Sequence, residues 1–273
     1  MTAHPADTVR MDRVPDLPPA PRHERTERGD RVRAVLFGTG EALLTLGFVL
    51  LLLVVYELWV TDLQAAHAQT ELTQQLREDW ADRPTSPGGT PAPITPVLGE
   101  PFAFLHIPRL GADWDRAIVE GTGTDQLAQG PGHYVGTALP GQQGNFAVAG
   151  HRVGRGSPFL DLGNLKPGDP IVVETADAWY VYRVLGNVQT GDLAATTAAV
   201  PIPGRQIVAP SDTSVIDPTP LAGPAAPPSG AYLTLTTCHP EYSARQRMVI
   251  HAVLDGGPVL RADAPEGPPA LNG

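Results

Sequence analysis

Residues 35–60, "VLFGTGEALLTLGFVLLLLVVYELWV", carry only two charges, Glu41 and Glu57. At about 1.5 Å per residue a helix over this run exceeds the roughly 30 Å hydrocarbon core of a bilayer, with both carboxylates near the interfaces. Tyr56 and Trp59 fall near one end, where amphipathic rings settle among headgroups. Arg22, Arg25, Arg28, Arg31 and Arg33 precede the run, whereas Asp62, Glu71, Glu78 and Asp79 follow it against Arg77 alone. That asymmetry predicts a single-pass protein with its N-terminus in the cytoplasm and the bulk of the chain extracellular. "AHA" at 66–68 has the small-x-small pattern of a signal-peptide cleavage site. It lies well beyond the apolar run, which itself exceeds a typical signal core, so retention as a signal anchor over residues 34–60 is the expectation.

The remaining chain is acidic. Residues 61–273 hold 21 acidic and 12 basic side chains, within a total formal charge of −10. Such a surface excludes nucleic acid as a partner, because phosphate binding needs clustered cations. Residues 1–33 are polar and proline-containing and read as a disordered cytoplasmic arm. Residues 61–80 lack Gly and Pro and read as a juxtamembrane helix extending the span. "ADRPTSPGGTPAPITPVLGEP" at 81–101 reads as an extended Pro/Gly linker that holds a domain off the bilayer, and 255–273 as a disordered tail. Between them, 102–254 contains short apolar runs bounded by turn residues: "FAFLHI", "NFAVAGH", "PIVVET", "WYVYRVL", "AYLTLTT" and "RMVIHAVL". Their spacing predicts an all-β sandwich or small barrel.

One cysteine, Cys238, occurs in 273 residues. Strand alternation places Leu233 and Leu235 on one face and Thr234, Thr236 and Cys238 on the other. In the following run Met248, Ile250 and Ala252 oppose Arg247, Val249 and His251. If the two strands pair across the short loop "HPEYSARQ", their apolar faces line the core together. Cys238 and Arg247 then share one end of the opposite face. A thiol beside a guanidinium is the electropositive setting that reactive cysteines occupy. Arg245 shares Arg247's parity. Among the histidines, alternation alone does not choose between His106, His133, His151, His239 and His251 as proton partner. Asp161 and Asp169 in "DLGNLKPGD" make no convincing cation site, and no metal or other cofactor is expected.

"TLTTC" at 234–238, with Arg247 opening the next strand, resembles the sortase signature. "GNFAVAGHR" at 144–152 is similar to the sortase segment that carries the catalytic histidine, and "APSDTSVID" at 209–217 to the loop before the cysteine strand. "GPGHYVGTALPGQQGN" at 130–145 and "CHPEYSARQRMVIHA" at 238–252 look most like class E sortases of actinobacteria. The resemblance implies a closed barrel of about eight strands with short helices and loops, over residues 102–254. It implies Cys238 as nucleophile, His151 as general acid and base, Arg247 as oxyanion clamp, and substrate contacts at Thr237, Thr236 and Asp212. It further implies cleavage of secreted proteins between Thr and Gly of a C-terminal Leu-Ala-x-Thr-Gly or Leu-Pro-x-Thr-Gly signal. Transfer would be to an amine of a peptidoglycan precursor of the lipid II kind. Two other readings keep the same residues: a hydrolytic cysteine peptidase, and a membrane-tethered domain that binds wall components without catalysis.

Overall fold

In a computed structural model, residues 27–56, 60–81 and 89–272 of the chain are described. The expected arm over residues 1–33 and the first part of the linker therefore lie largely outside the described residues. Two compact units divide the chain near Leu52. The first is helix α1, Glu27–Val55, within which Gly29–Val55 is long and apolar enough to cross a membrane.

The second unit is a barrel with appendages. Its strands are β1 (Pro101–His106), β2 (Asp115–Glu120), β3 (Gly132–His133), β4 (Gly144–Ala149) and β5 (Pro170–Glu174). They continue with β6 (Ala178–Val184), β7 (Arg205–Val208), β8 (Ala231–His239), β9 (Gln246–Leu254) and β10 (Val259–Leu260). Pairing runs β6-β5-β1-β2-β3-β4-β8-β9, and β9 returns to β6, which closes eight strands into a ring. Closure uses only Tyr182–Val184 against Ala252–Leu254. Where β6 and β9 splay apart on either side of this seam, β10 adds to Ala178 and Trp179 and β7 adds to Arg247–Ile250. No long strand edge is left unpaired there.

Inward positions build one core: Phe146, Phe159, Leu162, Tyr182, Leu233, Leu235 and Ile250 are all essentially inaccessible. Six of the ten strands coincide with apolar runs legible in the sequence. β2, β3, β7 and β10 do not, since two contain only two residues and "DRAIVE" and "RQIV" carry charge or amide groups among their apolar positions.

Helix α2, Thr61–Ala81, lies on the barrel instead of projecting as a bare stalk. Leu72, Leu76 and Trp80 bury against Phe104, Ala117 and Val119, with Trp80 edge-on to Phe104 at 5.4 Å. The second half of the expected linker is docked too: Gly99 donates its N–H to Glu120 O at 2.9 Å, and Ala92 its N–H to Asp177 Oδ2 at 3.0 Å.

The expectation of a disordered tail over 255–273 is overturned. β10 pairs with β6, Trp179 Nε1 donates to Ala264 O at 3.0 Å, and Leu271 packs on Val172, Trp179 and Val181. The reason is that β6 presents an unpaired edge and an indole N–H that need partners, and only the chain beyond β9 is placed to supply them. Arg77 from α2 and Arg261 from the tail both reach the buried carboxylate of Glu174 on β5, which also accepts from His106 Nε2 at 3.0 Å.

Candidate active site

β8 carries Cys238 to the barrel rim with its side chain partly exposed. In the antiparallel β8–β9 ladder Cys238 faces Arg247 directly, so the two side chains emerge on the same side. On the other flank β4 runs parallel to β8, with Ala149 opposite Thr236. The ladder continues past the end of β4, because Gly150 donates its N–H to Thr236 O at 3.1 Å. Extending that register by two residues sets His151 beside Cys238. Three neighbouring strand ends, about 4.8 Å apart, thus present an imidazole, a thiol and a guanidinium in a row.

The other candidate histidines are committed elsewhere. His106 holds Glu174, and His133 is buried between Glu120 Oε2 at 2.6 Å and Ala138 O at 3.1 Å. His239 takes a hydrogen bond at Nδ1 from Arg152 Nη1 at 2.8 Å. His251 is fully buried, and desolvation pushes its pKa down to about 3. Its Nδ1–H donates to Thr234 Oγ1 at 2.9 Å, and Gln206 Nε2 donates to its Nε2 at 2.8 Å. Among the histidine nitrogens of the described residues, His151 Nε2 is the one that is both buried and without a hydrogen-bond partner.

Burial lowers the pKa of His151, and the nearby Arg155 charge lowers it further. The imidazole is therefore neutral at pH 7 and available as a base. Its loop is locked on three sides. Phe159 donates its N–H to His151 O at 3.0 Å, and Thr237 Oγ1 donates to Gly150 O at 2.8 Å. Gly150 itself is required: a Cβ there would lie 2.5 Å from the ring of Phe159. Arg247 folds its Nη1 onto Ala244 O and Gln246 O, both at 3.0 Å, which anchors the guanidinium at the turn beside Cys238.

The three expected substrate contacts are placed differently from one another. Thr237 and Thr236 are buried, and their hydroxyls are engaged with Gly150 O and with the Tyr134 hydroxyl at 2.9 Å. Both hydroxyls are thus already committed to partners within the protein. Asp212 is exposed on the β7–β8 connection, where its Oδ1 accepts from Ser214 N–H at 3.1 Å and from Ser214 Oγ–H at 2.6 Å. That connection leaves β7 just after Val208, the partner of Arg247, so it begins at the cysteine end of the barrel. Asp169 is held in a fork by Arg109 Nε at 2.8 Å and Nη2 at 2.7 Å, and Asp161 accepts from Asn164 at 3.3 Å.

Two supporting groups escape sequence reasoning. Arg152, directly after His151, bridges to His239 and to Glu241 Oε1 at 3.3 Å, tying the histidine loop to the loop after Cys238. Asn145 on β4 accepts from Thr234 Oγ1 at 2.7 Å and donates its amide to Val215 O and Asp217 O, both at 3.1 Å. It pins the β7–β8 connection over the outer face of the sheet. The dipeptide "HR" and an Asn among apolar strand residues are weak signals, because their partners are about 70 to 90 positions away in sequence.

A barrel whose rim sets a histidine, a cysteine and an arginine on adjacent strand ends defines a thiol-bearing β-barrel class, and the comparisons narrow it. Residues 105–255 match the family model described as the sortase domain. Sortase SrtE1 of Streptomyces coelicolor is 38% identical over 218 residues, covering 77% of this chain and 54% of that protein. Sortase SrtE2 of the same organism is 34% identical over 217 residues, covering 77% of this chain and 78% of that one. The chain thus spans about half the length of the first relative and more of the second. The SrtF sortase structure from Corynebacterium diphtheriae superposes with a TM-score of 0.59 at 39% identity, over 69% of this chain and 100% of that one. The chain belongs to the sortase family, whose members are cysteine transpeptidases. The Streptomyces relatives place it with class E.

Proposed function

We propose that the protein is a membrane-anchored extracellular sortase. It cleaves secreted proteins between Thr and Gly of a Leu-Ala-x-Thr-Gly or Leu-Pro-x-Thr-Gly-like C-terminal signal. It passes the acyl group to an amine of a peptidoglycan precursor. The observation that carries this reading is the row His151, Cys238, Arg247 on adjacent strand ends, with the imidazole neutral and one ring nitrogen free. α1 serves as the anchor, with the arginines before it on the cytoplasmic side.

In the acylation step His151 accepts the Cys238 proton as Sγ attacks the threonine carbonyl carbon. The carbonyl π electrons move onto oxygen, and Arg247, charged at every relevant pH, stabilises that oxyanion without reorganising. The imidazolium then donates its proton to the glycine nitrogen, the C–N bond breaks, and a thioester to Cys238 remains. In the second half the incoming amine loses a proton to the neutral imidazole and adds to the thioester carbon. Collapse releases the thiolate, which regains the proton. Thr237, Arg152 and Gly150 act as positioning residues by fixing the loop that carries His151.

The test incubates the protein with Leu-Ala-Asn-Thr-Gly and Leu-Pro-Asn-Thr-Gly peptides, with and without an added amine, followed by mass spectrometry. Thr–Gly cleavage with ligation, abolished in Cys238→Ala and His151→Ala, supports the proposal. Cleavage that never yields a ligated product identifies a hydrolase instead. Wall-component binding that survives Cys238→Ala, with both peptides intact, identifies a non-catalytic module.

A further inference from the structure

The clasp between the histidine loop and the loop after Cys238 demands one protonation state of His239. A guanidinium donates at its nitrogens and accepts at none. The 2.8 Å bond from Arg152 Nη1 to His239 Nδ1 therefore needs a bare lone pair on Nδ1, which only the neutral ring offers. A proton there sets one N–H against another and places two like charges at contact distance. His239 is itself partly exposed, so a proton reaches it from solvent.

Arg152 depends on that bond. It is 9% exposed, and its Nε is buried and unpartnered among the described residues. Its other tip bond, from Nη2 to Glu241 Oε1, is long at 3.3 Å and goes to a carboxylate that is 47% exposed and hence screened by water. The titratable and charged groups around His239 come from three elements. The histidine loop brings Arg152, with His151 before it, and the segment of His239 itself brings Cys238 and Glu241. From β9 its ladder partner is the uncharged Gln246, flanked by Arg245 and Arg247. Strand alternation turns the His239 side chain to the face opposite that of Cys238, so it acts on the reaction through Arg152.

What the clasp holds is a loop in an unfavourable backbone conformation. Gly154, Arg155, Gly156 and Ser157 all lie in the left-handed region, with φ of 68°, 53°, 75° and 40°. Such a run persists only where surroundings over-determine it. On one side Asp62 Oδ1 of α2 accepts the Gly156 N–H at 2.8 Å. On the other, Arg152 ties the residues next to His151 to His239 and Glu241. Releasing the second tie loosens the loop at the end that carries the imidazole.

We propose that His239 is a positioning residue of the transpeptidase reaction and the acid-sensitive latch of its histidine loop. The neutral ring holds Arg152 and so keeps His151 beside Cys238, and a proton on Nδ1 releases it. The latch is closed while His239 is neutral and opens as pH falls, so it removes activity on the acid side alone. The proposal rests on the transpeptidase reading of the site.

The experiment uses the full-length chain and compares wild type, His239→Asn, His239→Leu and Glu241→Gln between about pH 8 and pH 5, the histidine range. It reads kcat and KM on the two signal peptides and, without peptide, amide hydrogen exchange over residues 151–157. Asn places Oδ1 where Nδ1 stood, accepts from Arg152 and does not titrate, whereas Leu accepts nothing. At the alkaline end His239→Asn should match wild type. His239→Leu should lose about ten- to a hundredfold in kcat at unchanged KM, as a misplaced base does, and exchange faster. As pH falls, the ratio of His239→Asn to wild type in kcat should rise from unity towards about tenfold, with wild-type exchange approaching that of His239→Leu at the same pH. A ratio that stays constant overturns the proposal, and so does wild-type kcat in His239→Leu at the alkaline end. Acid sensitivity that Glu241→Gln removes and His239→Asn keeps also overturns it, by assigning the latch to the carboxylate. Should His239→Leu fail to fold, the ratio of His239→Asn to wild type decides alone. Wild type that shows the acid-dependent exchange but cleaves neither peptide keeps the latch and sinks the transpeptidase reading instead.

Discussion

Glu174→Gln removes one negative charge from the point where α2, β1, β5 and the tail meet. The carboxylate is 1% exposed and receives Arg77 through both Nη atoms, the second at 2.8 Å, together with His106 at 3.0 Å and Arg261 at 3.5 Å. Burial alone raises its pKa, but hydrogen bonds from His106 and Arg77 and their charges outweigh it, so the net displacement is downward. Breaking a fully buried ion pair costs about 3–5 kcal/mol. Here Arg77 is 40% exposed and Arg261 24%, so both cations regain water when the carboxylate is lost. Discounting for that leaves about 2–3 kcal/mol, or about 4–12 °C in Tm for a unit of this size.

The pH dependence follows from the direction of the displacement. A carboxylate held below its ordinary value contributes stability that is present above that value, 4.5, and is lost as pH falls through the lowered one. Thermal unfolding of wild type and Glu174→Gln, followed by calorimetry at neutral pH and at a series of acid pH values, measures the gap. The gap should be full at neutral pH and close as the native carboxylate protonates. A variant with wild-type Tm at pH 7, or a gap that does not narrow in acid, would refute the argument that this charge pins α2 and the tail to the barrel.

Arg247→Ala should lower kcat/KM by at least about a hundredfold, near the 2.7–4 kcal/mol that one oxyanion donor contributes; peptide cleavage at fixed pH reads it, and less than tenfold loss would remove Arg247 from that role. Thr237→Val keeps the side-chain shape but deletes the donor to Gly150 O. It should cost about 1–3 kcal/mol of stability and about ten- to a hundredfold in kcat with little change in KM, because only the histidine loop loosens. Unchanged kcat would show that His151 does not depend on this bond. Arg155→Gln removes a positive charge that disfavours the imidazolium, so the acid limb of the kcat/KM profile should move to higher pH. Since burial is the larger cause and persists, the limb should stay below the ordinary histidine value of 6.5. A limb that moves down or stays in place would separate Arg155 from His151 electrostatically.

Local patterns in the chain already determined the apolar helix, the β character of 102–254, and the pairing of Cys238 with Arg247, because period-two alternation and a short connection suffice to set a hairpin register. The same alternation could not select a histidine. His106, His133, His151 and His251 all lie in or at the end of strand-like runs, and what separates them is which hydrogen-bond partner each one meets: Glu174, Glu120, or Thr234 and Gln206. Resemblance to a family supplied His151, and the parallel β4–β8 ladder supplied the physical reason. Tertiary structure alone decided that Thr237 faces Gly150 O and that Arg152 bridges two loops. It also decided that the stretches read as stalk, linker and loose tail are largely docked on the barrel. Those segments have few apolar residues of their own, so their order comes from partners that only the closed barrel creates: the unpaired edge of β6, the indole of Trp179, and a buried carboxylate at Glu174 waiting for two arginines separated by more than 180 positions.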